Sequence, residues 1–268
     1  MTSETTTEPA APTRRERRKA GRSHARDVVY SVVGVIGEVL ITLGVLLFAF
    51  LLWQLWWTDV VGNRVQAEIV AELPFEPVPT ATPSAGAPAG PVIAPPRRDE
   101  PPPVMAEPAH GTTFATIQVP RWAGEPERPI SQGTDRATVL DVLGAGHYEG
   151  TAMPGDVGNF AVAGHRTTYA KPFNRVEELQ VGDPLVIRTT DNIWYVYRVT
   201  STQVVPPSAI DVIAPVPGDP GAVPTERFIT LTTCHPMFSA RERFIVHGVL
   251  DYWAPTSDGI PAELVGGA

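Results

Sequence analysis

The sequence predicts an all-β domain over residues 110–255, preceded by one membrane-spanning helix and a proline-rich stalk. Three observations predict this plan: an apolar run near the N-terminus, a proline-dense stretch after it, and then short β-rich runs separated by turn residues. A chain of 268 residues is long enough for one sizeable domain with such appendages.

The first 27 residues are polar and hold seven basic and four acidic side chains. This composition predicts a disordered basic tail, residues 1–27. Since the whole chain has a net charge of −8, the body after the tail is clearly acidic. An acidic body argues against binding to nucleic acid, so we expect no nucleic-acid partner.

Residues 28–57 form the apolar run, in which Glu38 is the one charged residue. The part from Val39 to Trp57 is uncharged and about 28 Å long as a helix, enough to cross a bilayer core. The run is too long for the core of a signal peptide, and no small-residue cleavage site follows it. Basic residues before the run place the N-terminus in the cytoplasm and the later residues outside the cell.

Residues 58–109 are rich in proline, with twelve prolines between Pro74 and Pro108. Such a segment cannot bury a core, so it predicts an extended, semi-rigid extracellular linker. The final residues, 256–268, predict a flexible tail.

Short runs of β-branched and aromatic residues recur through residues 110–255, and their spacing predicts a β-barrel or a β-sandwich. One short stretch, residues 172–179, has a helical pattern. The strand-like runs are residues 114–120, 158–165, 183–189, 193–205, 227–234 and 243–253.

The run at 227–234 ends in Cys234, the one cysteine of the chain. Alternation along a strand places Ile229 and Leu231 on one face and Cys234 on the other, more polar face. A cysteine that filled the core would share the face of Ile229 and Leu231. The pattern therefore favours a nucleophilic thiol, which needs a nearby base or cation.

His165 is the candidate base, because it ends an apolar run directly after Gly164, which permits a close backbone approach. We expect His147 to be a loop residue. Acyl transfer also needs a group that stabilises an oxyanion. Arg243, at the start of the next strand, is the candidate, and Arg241 is its rival because both residues point to the same side of the strand.

These residues resemble the sortases, the membrane-anchored cysteine transpeptidases of Gram-positive bacteria. The signature TLxTC matches residues 230–234, His165 ends an upstream apolar strand, and Arg243 opens the strand after the cysteine. The similarity covers roughly residues 112–253. Within the family, the CHP that follows the strand and the proline-rich stretch look most like the actinobacterial class E group.

The resemblance implies an eight-stranded β-barrel that cleaves an LPXTG-like or LAXTG-like sorting signal between Thr and Gly. Cys234 would form the thioacyl-enzyme, His165 would transfer protons, and Arg243 would stabilise the oxyanion. Thr233 and Thr232 would help to bind the substrate. The implied partners are secreted proteins with C-terminal sorting signals and an amine of a peptidoglycan precursor or a pilin lysine. We expect no metal and no cofactor.

Other classes fit the residues less well. L,D-transpeptidases usually carry a Ser-His-Gly-Cys run that TLTTCHP lacks, and papain-like peptidases place the cysteine before the histidine. A non-catalytic, stalked β domain that binds cell-wall components would leave the order of His165, Cys234 and Arg243 unexplained. Residues 206–226 predict a long loop over the substrate groove that shapes substrate choice.

Overall fold

The structure, a computed structural model, describes residues 14–80 and 90–265. The chain divides into two compact units, residues 1–55 and 56–268. Residues 1–13 of the predicted basic tail and residues 266–268 of the predicted flexible tail lie outside the described residues.

Helix α1, Arg14–Glu72, contains the whole predicted span, but it begins at Arg14, within the tail that was predicted to be disordered, and it continues to Glu72 instead of ending at residue 57. In the first unit its large apolar side chains face outward; Leu40, Ile41 and Phe48 are 63%, 70% and 64% exposed. A helix that is apolar all round and unpacked is typical of a membrane span. Among the described residues, α1 is the one helix long and apolar enough to cross a membrane.

The second unit is built on a closed β-barrel that contains eight strands within the described residues. Around the barrel the order is β1-β2-β3-β4-β7-β8-β6-β5. The pairs β2–β3 and β4–β7 are parallel, and the other six pairs are antiparallel. The strands are β1 Thr113–Gln118, β2 Arg128–Gln132, β3 Ala145–His147, β4 Gly158–Ala163, β5 Pro184–Thr189, β6 Ile193–Val205, β7 Arg227–His235 and β8 Glu242–Pro255.

The barrel interior is filled by aromatic and branched side chains from most of the strands. Phe160, Tyr197, Ile229 and Leu231 are all fully buried there. Full burial of a side chain such as Leu or Phe stabilises a fold by about 1.5–3 kcal/mol. The prediction that Ile229 and Leu231 face the core is confirmed.

The all-β fold is confirmed, and each of the six strand-like runs overlaps a strand, although β1 and β4 end at Gln118 and Ala163, two residues before their runs do. The strands β2 and β3 were not predicted, because they are short and flanked by glycine, proline and charged residues. The helix predicted from the pattern at 172–179 is wrong, since this stretch forms only a single 3₁₀ turn, Val176–Glu178. His147 is also not a loop residue: it is fully buried at the end of β3, and burial lowers the pKa of its imidazole.

The described part of residues 58–109 differs from the predicted extended, semi-rigid linker, because residues 58–72 belong to helix α1. Residues 90–109 pack along the barrel, where Ala94 is only 1% exposed and Arg97 pairs with Trp253. Carbonyl groups of this proline-rich segment accept hydrogen bonds from buried ring donors: Trp253 Nε1 donates to Glu100 O at 2.9 Å, and Tyr195 Oη donates to Pro103 O at 2.6 Å. Proline removes backbone donors but keeps acceptors, so the segment suits this role.

The predicted flexible tail is likewise wrong for residues 256–265. Thr256–Asp258 and Ala262–Leu264 form 3₁₀ turns against the barrel. Trp194 Nε1 donates to Gly259 O at 3.0 Å, and Glu263 accepts hydrogen bonds from Arg198 and Tyr252. These contacts fix the end of the described chain.

The segment 206–226 covers the outer face of β4 and β7. Its 3₁₀ turn, Ile210–Ile213, is held by Asn159, whose Nδ2 donates to Val212 O and Ala214 O. Thr230, on the polar face of β7, is buried beneath this turn and donates to Asn159 Oδ1 at 2.8 Å. At Thr230 the outer face of β7 is therefore polar and buried.

Candidate active site

Cys234 lies near the end of β7, where its register partner on the antiparallel strand β8 is Arg243. The turn between the two strands brings Arg243 alongside the cysteine, as the sequence predicted. Arg241, the rival, precedes β8 and is exposed. Cys234 is half-buried and carries a free thiol.

His165 reaches the same end of the barrel because β4 runs parallel to β7. Ala163 pairs with Thr232, and Gly164 N donates to Thr232 O at 3.1 Å. His165 and Cys234 each lie two residues beyond that pair and line one cavity together with Arg243. The cavity, called the Cys234 cavity below, is lined by Thr134, Arg136, Leu140, Tyr148, Ala163, Gly164, His165, Thr232, Thr233, Cys234 and Arg243.

This lining contains no residue of the segment 206–226. The side chains that hydrogen-bond to that segment, Asn159 and Thr230, lie on the outer face of the sheet. The expectation that it forms a loop over the groove beside the cysteine is therefore not met.

Thr232 and Thr233 both line the Cys234 cavity, and both have hydroxyl groups with partners in the protein. Thr233 Oγ1 donates to Gly164 O at 2.7 Å and is buried. Thr232 Oγ1 lies 2.9 Å from the hydroxyl of Tyr148. The Thr233 bond joins the residue before the cysteine to the residue before the histidine, so it ties the ends of β7 and β4 together.

Gly164, directly before the histidine, makes room for the ring of Phe173. A Cβ atom at this position would lie 2.6 Å from the ring of Phe173. The close approach that the sequence suggested for Gly164 is thus confirmed, and the ring of Phe173 is the group that approaches.

His165 is held between a carboxylate and an aromatic ring. Its Nε2 lies 2.6 Å from Asp141 Oδ1, and its ring centroid lies 5.2 Å from that of Tyr169. Asp141 also accepts hydrogen bonds from Arg136, which raises the pKa of that guanidinium. Asp141 follows a π-helical turn, Arg136–Leu140, and sequence reasoning missed it because no motif marks it.

A second charged cluster lies behind Cys234. Arg166 is 3% exposed; its Nη1 donates to Cys234 O at 3.4 Å and lies 2.9 Å from His235 Nδ1. Its Nη2 pairs with Glu177 Oε2 at 2.6 Å, which lowers the pKa of Glu177. Sequence reasoning missed this cluster, although Arg166 directly follows the candidate base.

Arg243 is the residue of β8 that lies opposite Cys234 in the strand register. Its Nη1 donates to the carbonyl oxygens of Ala240 and Glu242, both at 3.0 Å. A thiol, an imidazole and a guanidinium around one cavity can act as nucleophile, acid–base group and anion stabiliser. The barrel and this cavity fit the class of protein that the sequence resemblance implies, a cysteine enzyme of acyl transfer.

Comparison with known proteins gives the same result. A family model, the sortase domain, matches residues 117–251. Sortase SrtE1 of Streptomyces coelicolor is 35% identical over 96% of this chain and 68% of its own length. Sortase SrtE2 of the same organism is 31% identical over 88% of this chain and 87% of its own length.

Two solved structures agree with the barrel. The SrtA sortase from Actinomyces oris superposes with a TM-score of 0.60 and 44% identity, covering 63% of this chain and 96% of that one. Sortase E1 from Streptomyces coelicolor, solved with a tripeptide in its active site, has a TM-score of 0.54 and 39% identity, covering 59% of this chain and 100% of its own.

The chain belongs to the sortase family. It is a cysteine transpeptidase with the eight-stranded barrel of that family, and relatives from Streptomyces are among its matches.

Proposed function

We propose that the protein cleaves an LPXTG-like or LAXTG-like sorting signal between Thr and Gly and transfers the new carboxyl end to an amine of the cell wall or of a pilin. The observation that carries this proposal is the shared Cys234 cavity. Strand register sets Arg243 beside Cys234, and His165, two residues after the end of β4, lines the same cavity.

In the proposed reaction the thiolate of Cys234 attacks the carbonyl carbon of the threonine. Arg243 stabilises the negative charge that forms on the carbonyl oxygen. The C–N bond to glycine breaks as His165 gives a proton to the leaving amine, and a thioester remains. An incoming amine then attacks the thioester, His165 takes its proton, and the thiolate of Cys234 leaves.

The test uses the full chain in lipid nanodiscs with LAXTG and LPXTG peptides and triglycine as the acceptor amine. Mass spectrometry should detect cleavage between Thr and Gly, a transfer product that carries triglycine, and a thioacyl adduct on the protein. The ratio of the two products ranks the two signals. If neither peptide is cleaved by folded protein with a free thiol, the non-catalytic wall-binding alternative gains support.

We also propose that helix α1 anchors the protein with its N-terminus in the cytoplasm and its barrel outside the cell. The basic residues before the apolar run and the apolar surface of α1 support this orientation. The single cysteine offers a direct measurement. A membrane-impermeant maleimide should label Cys234 in intact cells as fully as in lysed cells. If Cys234 is labelled only after the cells are lysed, the barrel lies in the cytoplasm and the proposed orientation is wrong.

Arg243 gives a prediction that separates it from its rival. Arg243→Lys should lower kcat/KM for peptide transfer by about 10²-fold, because lysine keeps the charge but loses the planar, forked donor geometry. The matched control is Arg241→Lys, at the exposed neighbouring arginine, which should leave kcat/KM within about twofold of the unsubstituted chain. If kcat/KM falls equally in the two variants, Arg243 has no specific role in the reaction.

A further inference from the structure

The loop that follows His165 has an unfavourable backbone. Tyr169, Ala170 and Lys171 are three consecutive residues with positive φ, at 54°, 62° and 39°. Residues with a Cβ atom rarely adopt this left-handed conformation, and runs of it are rarer still. Such a conformation persists where the surrounding structure holds it, and it concentrates at functional sites. The contacts of this loop, called the 169–171 loop below, therefore matter.

One face of helix α1 supplies those contacts. Asp59 Oδ2 accepts a hydrogen bond from Lys171 Nζ at 2.6 Å, and Gln66 Nε2 donates to Tyr169 O at 3.2 Å. Gly62, between them, faces Ala170 so closely that a Cβ atom would lie 2.8 Å from Ala170 N. Positions 59, 62 and 66 lie on one face of a helix because they are three and four residues apart.

The same helix face is fixed to the barrel wall. Arg128 of β2, which is 5% exposed, donates from Nη1 to Asn63 Oδ1 at 2.6 Å and to Gln66 Oε1 at 3.2 Å. Glu125 accepts from the other guanidinium nitrogen of Arg128 at 2.9 Å. Residues 59–66 of the helix are thus a built part of the barrel unit and not a passive connection.

The loop in turn touches the histidine. The ring of Tyr169 packs on that of His165, with 5.2 Å between the ring centroids. Ala170, which is completely buried, is the residue beneath Gly62. A continuous line of contacts therefore runs from the helix face, through the 169–171 loop, to the imidazole.

We infer that Asp59, Gly62 and Gln66 are positioning residues for His165. By holding the 169–171 loop in its left-handed conformation, the helix keeps Tyr169 against the imidazole and so fixes the ring between Tyr169 and Asp141. The last turns of helix α1 belong to the catalytic scaffold, which adds a role for this segment beyond that of an anchor. The inference rests on the proposed function of His165.

Gly62→Ala is the sharpest test, because the change favours the helix while it disturbs the loop. Alanine is the better helix former, so a loss of activity cannot come from a weakened helix. The added Cβ must push Ala170 away. The matched control is Gly44→Ala in the same helix, where a Cβ would meet nothing within 4 Å.

Peptide transfer is measured with the full chain in nanodiscs. We expect Gly62→Ala to lower kcat about tenfold or more, since small misplacements of catalytic groups have large effects on rate, while KM for the peptide changes less than about twofold. Gly44→Ala should match the unsubstituted chain. A Gly62→Ala variant with unchanged kcat, or with KM raised and kcat kept, would overturn the inference.

A charge exchange provides a second, independent variant. Asp59→Lys alone should lower kcat by repelling Lys171, and the added change Lys171→Asp should restore most of it by rebuilding the ion pair in reverse. Failure of the double variant to recover, with an unchanged midpoint of thermal unfolding, would count against the inference.

A spectroscopic measurement separates this inference from the proposed function. In protein labelled at histidine, the imidazole signal of His165 should shift in Gly62→Ala and stay in place in Gly44→Ala. If even the unsubstituted chain transfers no peptide, the proposed function fails, and the imidazole signal still decides whether the helix positions the ring. An imidazole signal that is the same in all three proteins would overturn the inference.

Discussion

Cys234→Ala is expected to transfer no peptide above background, a loss of at least about 10⁴-fold in kcat/KM. The chain has no other cysteine, so no second thiol can take over the nucleophilic step. The measurement is the mass-spectrometric transfer assay, read for both the product and the thioacyl adduct. The adduct must disappear together with the product.

The control for this variant is its folding. Cys234 is half-buried and its backbone carbonyl, not its side chain, accepts from Arg166. Loss of the sulfur should therefore leave the midpoint of thermal unfolding within a few degrees of the unsubstituted chain. Transfer that continues in folded Cys234→Ala would disprove covalent catalysis at this residue.

His165→Ala is expected to lower kcat/KM for peptide transfer by about 10²- to 10⁴-fold, the range of general acid–base catalysis. The cause is the leaving amine, which cannot depart without a proton. A matched pair of substrates tests this cause. A depsipeptide in which an ester replaces the Thr–Gly amide has a better leaving group. The rate at which it acylates Cys234 should therefore fall much less in His165→Ala than the rate for the amide.

His110→Ala is the histidine control, because His110 is exposed and lies outside the Cys234 cavity. It should leave both substrates unaffected. Equal losses for the amide and the ester in His165→Ala would mean that the histidine acts on the thiol or on the fold and not on the leaving amine.

The sequence predicted those parts of the fold that depend on local pattern. The alternation in β7 was enough to separate Ile229 and Leu231 from Cys234, and the short turn before β8 was enough to bring Arg243 near the thiol. The long strands β6 and β8 carry many β-branched and aromatic residues, so their limits were clear. Strands β2 and β3 were missed because three to five residues carry too little pattern.

Other features depend on distant contacts, and the sequence does not display them. Asp141 meets His165 only because a turn after β2 folds back over the end of β4. The proline-rich segment was expected to form an extended, semi-rigid linker because such a composition cannot bury a core. It nevertheless packs on the barrel, where its carbonyl groups accept hydrogen bonds from the indole N–H of Trp253 and the hydroxyl group of Tyr195.

The segment before the barrel and the segment after it meet each other. Ile93 pairs with Ile260, and Ala94 N donates to Ile260 O at 2.9 Å. Residues 93 and 94, before the barrel strands, are therefore neighbours of residue 260, which follows them. Such neighbouring ends suit circular permutation, in which a short peptide joins the two ends and new termini open in an exposed turn, such as that around Asp219 and Gly221. A permuted barrel of this kind would carry the Cys234 cavity without a direct covalent link to helix α1, whose residues 59–66 hold the 169–171 loop.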